Sequence, residues 1–199
     1  MRASEVGYWD NNFKSLDKNM VTDNVWKRQQ LLKKLLTHDF IGSSVLEIGV
    51  GFGTVAFIFQ RLYLSTLKYV GTDVSHKVCE FLRNGHGIDM VHTDITKLPK
   101  IEPDGFDYII ALDVLEHINP KDRELGYDEM YDSLSDGGLI LINNPLDESN
   151  HDGEFDYGLD DKGIANMCGD RFELSIKAPY SVKCKQRVCN YEWIEMRKI

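Results

Sequence analysis

The chain has 199 residues, 42% of them hydrophobic and 28% charged, an ordinary globular composition that excludes a disordered or membrane-embedded protein. Its 23 Lys and Arg stand against 32 Asp and Glu, a net charge of −9, so it lacks the basic surplus with which a protein clamps a long nucleic acid by counterion release. A chain of this length buries about 70% of its unfolded surface, enough for one substantial core.

The sequence opens MRASEVGYWDNNFKSLDKN, with no apolar stretch behind its early arginine, so neither a secretory signal nor a membrane anchor is read there. The longest apolar cluster, Val55 to Phe59, is far too short to span a bilayer. A cytoplasmic protein without a membrane partner is expected. No repeat or low-complexity linker interrupts the chain, so residues 1–199 read as one domain. An N-terminal helical extension (1–40) precedes a core (43–146), and a terminal segment (147–199) ends in a hairpin. From Asn24 to Leu36, the apolar Val25, Leu32, Leu35 and Leu36 share one face at helical spacing, with Thr22 and Asp23 as capping candidates.

Beyond that helix the period changes. SSVLEIGVG, LKYVGTDVS, IDMVHTDI, FDYIIALDV and GGLILINNP are short β-rich runs, each followed by a turn and mostly by a helical stretch. This alternation predicts a parallel sheet with helices on both faces. RFELSIKAPYSV and RVCNYEWIEMRK then read as a terminal hairpin joined by a short basic turn. The cysteines at 79, 168, 184 and 189 form no CxxC pair, and a chain of this size needs no disulfide, so they are expected to be reduced packing residues. Cys184 and Cys189, on the two late strands, are the one pair that could be neighbours.

In an open parallel sheet, ligands collect outside the carboxyl ends of the strands. The first strand ends Glu47-Ile48-Gly49-Val50-Gly51-Phe52-Gly53-Thr54 and opens a helix, which offers closely approachable backbone and free N–H groups. The second ends at Asp73, where a carboxylate can accept hydrogen bonds from both hydroxyls of a ribose. The glycine pattern is GxGxG. Dinucleotide folds use GxGxxG, whose third glycine is replaced here by Thr54. A glycine-rich turn alone is equally a structural turn; with Glu47, Asp73 and Asp94 it points to a nucleoside-containing cofactor.

VLEIGVGFGT, VGTDVS, VHTDI, FDYIIALDVLEHI and LSDGGLILINNP, in that order between Val45 and Pro145, resemble the core motifs of class I S-adenosylmethionine-dependent methyltransferases. The resemblance implies a Rossmann-like α/β three-layer sandwich whose seven-stranded, mostly parallel sheet has an antiparallel last strand. It implies that the loop Gly49, Gly51, Gly53, with Glu47 before it and Thr54 after it, passes under the methionine part of S-adenosylmethionine. Asp73, with Val74 beside it, would bind the ribose, Asp94 and Ile95 would hold the adenine, and Asp113 would face the methionine amino group. This cofactor carries a sulfonium, an ammonium and a carboxylate but no phosphate, so carboxylates and carbonyls suit it and a loop lysine is not needed.

The acceptor is expected to be a small molecule methylated on oxygen or nitrogen, with a cationic or amine-bearing one suggested by the acidic run Asp147–Asp161, which equally reads as a solvated loop. His117, in DVLEHI, is the candidate base, since an oxygen or nitrogen acceptor must lose a proton near neutral pH; alternatively Glu116 and His117 brace the following helix. Asp113, Glu116, His117 and His151 also form a set of hard ligands resembling the metal site of RNA 3′-terminal ribose 2′-O-methyltransferases, a further reading in which RNA is the acceptor; otherwise neither a metal nor RNA is expected. Asn143-Asn144-Pro145 resembles the signature of DNA amino-methyltransferases, but it follows the fifth strand rather than the fourth, so DNA is not expected. Tyr8, Trp9, Phe13 and Trp26 concentrate aromatics before the core; in resembling families such helices fold over the cofactor, which makes Tyr8 or Trp9 candidates for a lid. A non-catalytic, cofactor-binding scaffold is the competing reading.

Overall fold

A computed structural model of the chain describes residues 4–11, 25–63, 66–101, 103–146, 155–184 and 187–199. Phe13, Thr22, Asp23 and residues 147–154, His151 among them, lie outside the described residues. The elements run α1 (residues 4–11), α2 (Val25–Leu35), β1 (Ser44–Ile48), α3 (Thr54–Tyr63), β2 (Lys68–Asp73), α4 (His76–His86), β3 (Met90–His92) and β4 (Phe106–Leu112). They continue with α5 (Pro120–Ser133), β5 (Leu134–Pro145), α6 (Asp161–Cys168), β6 (Phe172–Cys184) and β7 (Arg187–Lys198). Short 3₁₀ turns, Ile95–Lys97 and Leu115–His117, flank β4.

The seven strands form one sheet in the order β3-β2-β1-β4-β5-β7-β6. The first five are parallel, and β7 runs antiparallel to both β5 and β6. This is the α/β sandwich with an antiparallel last strand that the resemblance implies, and its parallel core and terminal hairpin are those the pattern predicts. Strand order reverses between β1 and β4, so their carboxyl ends diverge and leave a crevice between the loops that follow them.

Alternation along the strands feeds two cores. Leu46, Ile48, Ile109, Ala111, Ile140 and Ile142 point to the face covered by Tyr127 and Met130 of α5 and Ile164 and Met167 of α6. Val45, Ile110 and Leu141 point to the other face, against Leu31 and Leu35 of α2, Phe59 of α3, Phe40 and Trp193. Because both faces are covered, the central strands read as near-continuous apolar runs. A third cluster joins Val78, Cys79 and Leu82 of α4 to Ala56, Ile88 and Met90.

Two local expectations are corrected, and the hairpin register separates the two late cysteines. Helix α2 stops at Leu35; among its side chains described, from residue 29 on, the buried ones are Leu31 and Leu35, one turn apart, whereas Leu32 is half-buried and Leu36 is 49% exposed beyond the helix end. Strand β3 ends at His92, so Asp94 stands past it as the cap of the Ile95–Lys97 turn. The register of the hairpin sets Cys184 opposite Arg187 and Cys189 opposite Val182, so the two late cysteines are not cross-strand partners, and Cys79, Cys168 and Cys189 are free thiols.

Helix α5 can lie against the Ile95 turn because residue 126 has no side chain: a Cβ there would sit 2.5 Å from Ile95 Cγ1 and 2.9 Å from its Cγ2. Gly126→Ala gains helix propensity of about 1 kcal/mol but overpacks a β-branched neighbour, at a cost of about 1–3 kcal/mol. The expected net result is lower stability, read as a reduced urea midpoint at unchanged m-value; an unchanged or higher midpoint would refute this packing.

Candidate functional site

The turn from β1 into α3 takes positive φ at Gly49, Gly51 and Gly53 (+69°, +54° and +75°). A Cβ at Gly49 would collide with Val114, and one at Gly53 would lie 2.8 Å from Leu82. The backbone therefore threads between the loop after β4 and the body of α4, with the Gly49 and Val50 N–H groups donating to the Thr72 carbonyl and the Gly53 N–H to the Val50 carbonyl. The Gly51 N–H donates to Asp73 Oδ2 at 2.9 Å, and the Ser75 N–H donates to Asp73 Oδ1 at 2.8 Å. Burial raises the Asp73 carboxyl above its ordinary range, and these two N–H groups partly offset it.

Asp73 forms part of the wall of a cleft of about 210 Å³ at the carboxyl ends of β1, β2 and β4. Of the residues predicted from sequence, Gly49, Gly51, Asp73, Val74, Ile95, Asp113 and His117 line it. The remaining four lie behind its lining. Gly53 and Thr54 turn the chain into α3. Asp94 Oδ1 accepts from the Thr96 N–H and hydroxyl at 2.9 and 2.6 Å, which fixes the turn that sets Ile95 in the wall. Glu47 is 4% exposed and accepts a 2.5 Å hydrogen bond from the Tyr69 hydroxyl. Its carboxyl is pushed up to about 8, chiefly by burial, with the Asp73 charge adding and the Tyr69 hydrogen bond opposing.

Asp113 is the one non-glycine residue with positive φ (+54°) among the described residues. Such a conformation costs about 1–2 kcal/mol and persists where surrounding structure enforces it. Here the neighbouring strand does so: the Asp113 N–H donates to the Asn143 carbonyl at 3.1 Å, and Asn143 Nδ2 donates to Asp113 Oδ1 at 2.5 Å. Asn143 Oδ1 in turn accepts from the Tyr180 hydroxyl. Burial, and then the charge of Asp113, push that phenol well above its ordinary range.

The turn after Asp113 presents His117 with 27% of its side chain exposed and Nε2 3.8 Å from Glu116 Oε1, Glu116 itself being buried. Trp9 of α1 meets the His117 ring edge-on at 5.1 Å and lines the cleft. Helix α1 is fastened at both sides. Asp10 Oδ1 accepts from the Ser75 hydroxyl at 2.6 Å, while Lys77 Nζ donates to the Asp10 carbonyl at 3.0 Å. On the opposite side the Tyr157 hydroxyl donates to buried Glu5 at 3.0 Å, Tyr8 meets Phe155 at 5.2 Å, and the Tyr157 N–H donates to the Glu116 carbonyl at 2.8 Å.

Sequence reasoning missed Ser75, Asn143, Tyr157 and Asp10. Asn143 alone had a signal, a polar residue closing an apolar strand, in a segment weighed only for its likeness to a DNA-enzyme motif and set aside. No group of three or more His, Cys, Asp or Glu among the described residues is placed to hold a metal ion; the fourth residue of the metal reading, His151, lies outside them. No helix among the described residues is long and apolar enough to cross a membrane.

Residues 45–138 match the family model described as a methyltransferase domain. Over 122 residues, 61% of this chain and 26% of the other, the sequence is 29% identical to the probable tRNA methyltransferase 9B of Mus musculus. The chain thus spans about a quarter of the length of that curated relative. The fold is similar to the N-methyltransferase NodS of Bradyrhizobium japonicum in complex with S-adenosyl-L-homocysteine, with a TM-score of 0.65, 19% identity, and 95% of this chain and 99% of that one covered. It is also similar to the magnesium protoporphyrin IX methyltransferase of Synechocystis with bound S-adenosylhomocysteine, with a TM-score of 0.67, 16% identity, and coverage of 87% and 82%.

The raised Glu47 carboxyl has a sign that can be measured. Between its ordinary 4.5 and about 8 the folded chain holds a proton that the unfolded chain has released, so Glu47 makes stability fall as pH rises through that window. In Glu47→Gln the fall should be shallower over the same range, as read by urea unfolding at several pH values. Parallel stability profiles in the two proteins would exclude a raised Glu47.

Proposed function

We propose that the chain, whose residues 45–138 match a methyltransferase domain, is a class I S-adenosylmethionine-dependent methyltransferase that transfers a methyl group to an oxygen or nitrogen atom of a small-molecule acceptor. The observation that carries this reading is one cleft whose wall combines the glycine turn, Asp73 and Asp113 with His117, roofed by Trp9. Among the described residues, no lysine or arginine lines that cleft. This donor set fits a cofactor with a sulfonium and an ammonium and no phosphate. Two solved neighbours with bound S-adenosylhomocysteine support the same cofactor here.

In this reading S-adenosylmethionine, when bound, supplies an electrophilic methyl group. Asp73 accepts the ribose hydroxyls while the Gly51 and Ser75 N–H groups keep its carboxylate aimed. Gly49 and Gly51 would let the backbone approach the methionine moiety, Val74 would lie with Asp73 at the ribose, Ile95 would hold the adenine, and the Asp113 carboxylate would take the amino group. Glu47 and Asp94 act from behind the wall, one under the glycine turn and the other through the Ile95 turn. His117 would take the proton that the acceptor loses on methylation, with S-adenosylhomocysteine as the leaving group once its bond to the methyl carbon is broken. Much of the rate enhancement then comes from holding acceptor and methyl carbon about 3–3.5 Å apart in line.

The name of the mouse relative favours a second reading, an RNA acceptor; a net charge of −9 disfavours a long nucleic-acid clamp but does not exclude a single nucleotide held locally. Conversion of S-adenosylmethionine to S-adenosylhomocysteine with a metabolite extract, compared with bulk tRNA, separates the two. Turnover with tRNA alone would replace the small-molecule reading, and tight cofactor binding with turnover on neither would favour the scaffold.

Two variants test the residue roles. A charge-assisted hydrogen bond contributes about 1.5–3 kcal/mol, so Asp73→Ala should weaken S-adenosylhomocysteine binding by about tenfold or more in calorimetry. General base catalysis contributes about 10²–10⁴-fold, so His117→Gln should lower kcat by about that factor with cofactor affinity preserved. Unchanged affinity in the first variant, or unchanged kcat in the second, would remove the corresponding role.

A further inference from the structure

A second cavity, of about 700 Å³, opens at the carboxyl edge of the sheet between α5 and α6. Its walls are the first turn of α5, the end of β5 at Pro145 and Leu146, and residues 156–163 leading into α6. Arg123 lines it although only 6% exposed, and its guanidinium donates to the Gly158 carbonyl at 2.6 Å. Among the described residues it has no ion-pair partner. A guanidinium offers five N–H donors in a planar fork, and a buried charge held by one neutral carbonyl is costly unless an anion completes it.

The backbone around Arg123 favours the same sign of ligand. Both α5, beginning at Pro120, and α6, beginning at Asp161, start at this cavity, and helix N-termini carry partial positive charge. Carboxylates lie nearby but are already engaged or peripheral. Asp160 caps α6 through the Gly163 N–H at 2.8 Å, Asp156 accepts from the Gly158 N–H at 3.2 Å, and Glu124 is exposed. Arg123 and Lys162 on the lining stand among Glu124, Asp156 and Asp160, a balance that admits one compact anion at the guanidinium and repels a polyanion. The planar fork of Arg123 matches a carboxylate.

We infer that this cavity binds the carboxylate of a small molecule through Arg123 and thereby holds the methyl acceptor by an end remote from the methylated atom. The second half of that statement rests on the reading of His117 as the base. Tyr157 links the two places: it lines the cavity, and its N–H holds the Glu116 carbonyl, one residue before His117. A ligand seated against residues 156–160 therefore shares a wall with the turn that presents the base.

The experiment is an NMR titration of the full ¹⁵N-labelled chain with acetate, glycine, inorganic phosphate and a short single-stranded oligoribonucleotide. It follows the Arg123 side-chain Nε–H and the Gly158 and Gly163 amides. Acetate and glycine should shift these resonances saturably, and Arg123→Gln should raise their Kd by about tenfold or more. Arg123→Lys, which keeps the charge and loses the fork, should weaken them less, and serves as the test if the Gln variant fails to fold. No saturable shift, carboxylate affinity unaltered in the folded variants, or tighter binding of phosphate or the oligoribonucleotide at Arg123 would overturn the site. Carboxylate binding at Arg123 in a chain that turns over S-adenosylmethionine with no carboxylate-bearing acceptor would leave the site standing and overturn its assignment to the acceptor.

Discussion

Asp73 is a buried carboxylate that accepts one backbone N–H from the glycine turn and one from the residue capping α4. Those two hydrogen bonds decide how far apart the β1 and β2 loops stand, and so the width of the crevice where strand order reverses. The same capping residue, Ser75, donates its hydroxyl to Asp10 of the N-terminal helix. One side chain therefore sets the glycine turn, the start of α4 and, one step removed, the position of the roof. An ionised carboxylate in such a place is stable only while its N–H partners are fixed, so the rigidity of the turn and the charge of Asp73 support each other.

The other end of the cleft is held by a different device. Asp113 occupies a backbone conformation that L residues rarely adopt, and Asn143 on the next strand supports it with both a main-chain and a side-chain hydrogen bond. Tyr180, on the far side of the hairpin, orients the Asn143 amide. Strain at a strand end is thus enforced by a line of polar contacts across the sheet edge, and the line leads to the turn that carries His117. The antiparallel hairpin contributes here as well as extending the sheet, because it brings Tyr180 over β5.

Much of this was legible in the sequence, for physical reasons that can be named. The central strands read clearly because burial on both faces forces apolar runs, and the glycine turn read clearly because only glycine tolerates those φ values beside Val114 and Leu82. Asp73, Asp113 and His117 were accessible because position at a strand end predicts exposure to the crevice. Asp94 and Glu47 were found as residues but not as geometry: whether a carboxylate faces a cleft or braces it from behind depends on a partner, Thr96 or Tyr69, that spacing does not reveal. Asp10, Tyr157 and Arg123 were not legible at all. Each acts through a contact with a segment far along the chain, and a single sequence has no periodicity that encodes such a contact. On α2 the expected Leu35 is buried, but Leu31 takes the place expected of Leu32, since both buried leucines pack with Phe40 and Phe59.

The roof has a kinetic meaning. Helix α1 is pinned to α4 through Ser75 and Lys77 on one side and to Tyr157 on the other, with Trp9 between them against His117. Anything entering or leaving the cleft from this side must first undock that helix, which separates residence time from affinity: the walls determine how strongly a ligand is held, and a few hydrogen bonds and one indole determine how soon it can leave. Two ligands that share such a roof also acquire an order of arrival, because the one seated deeper must enter first.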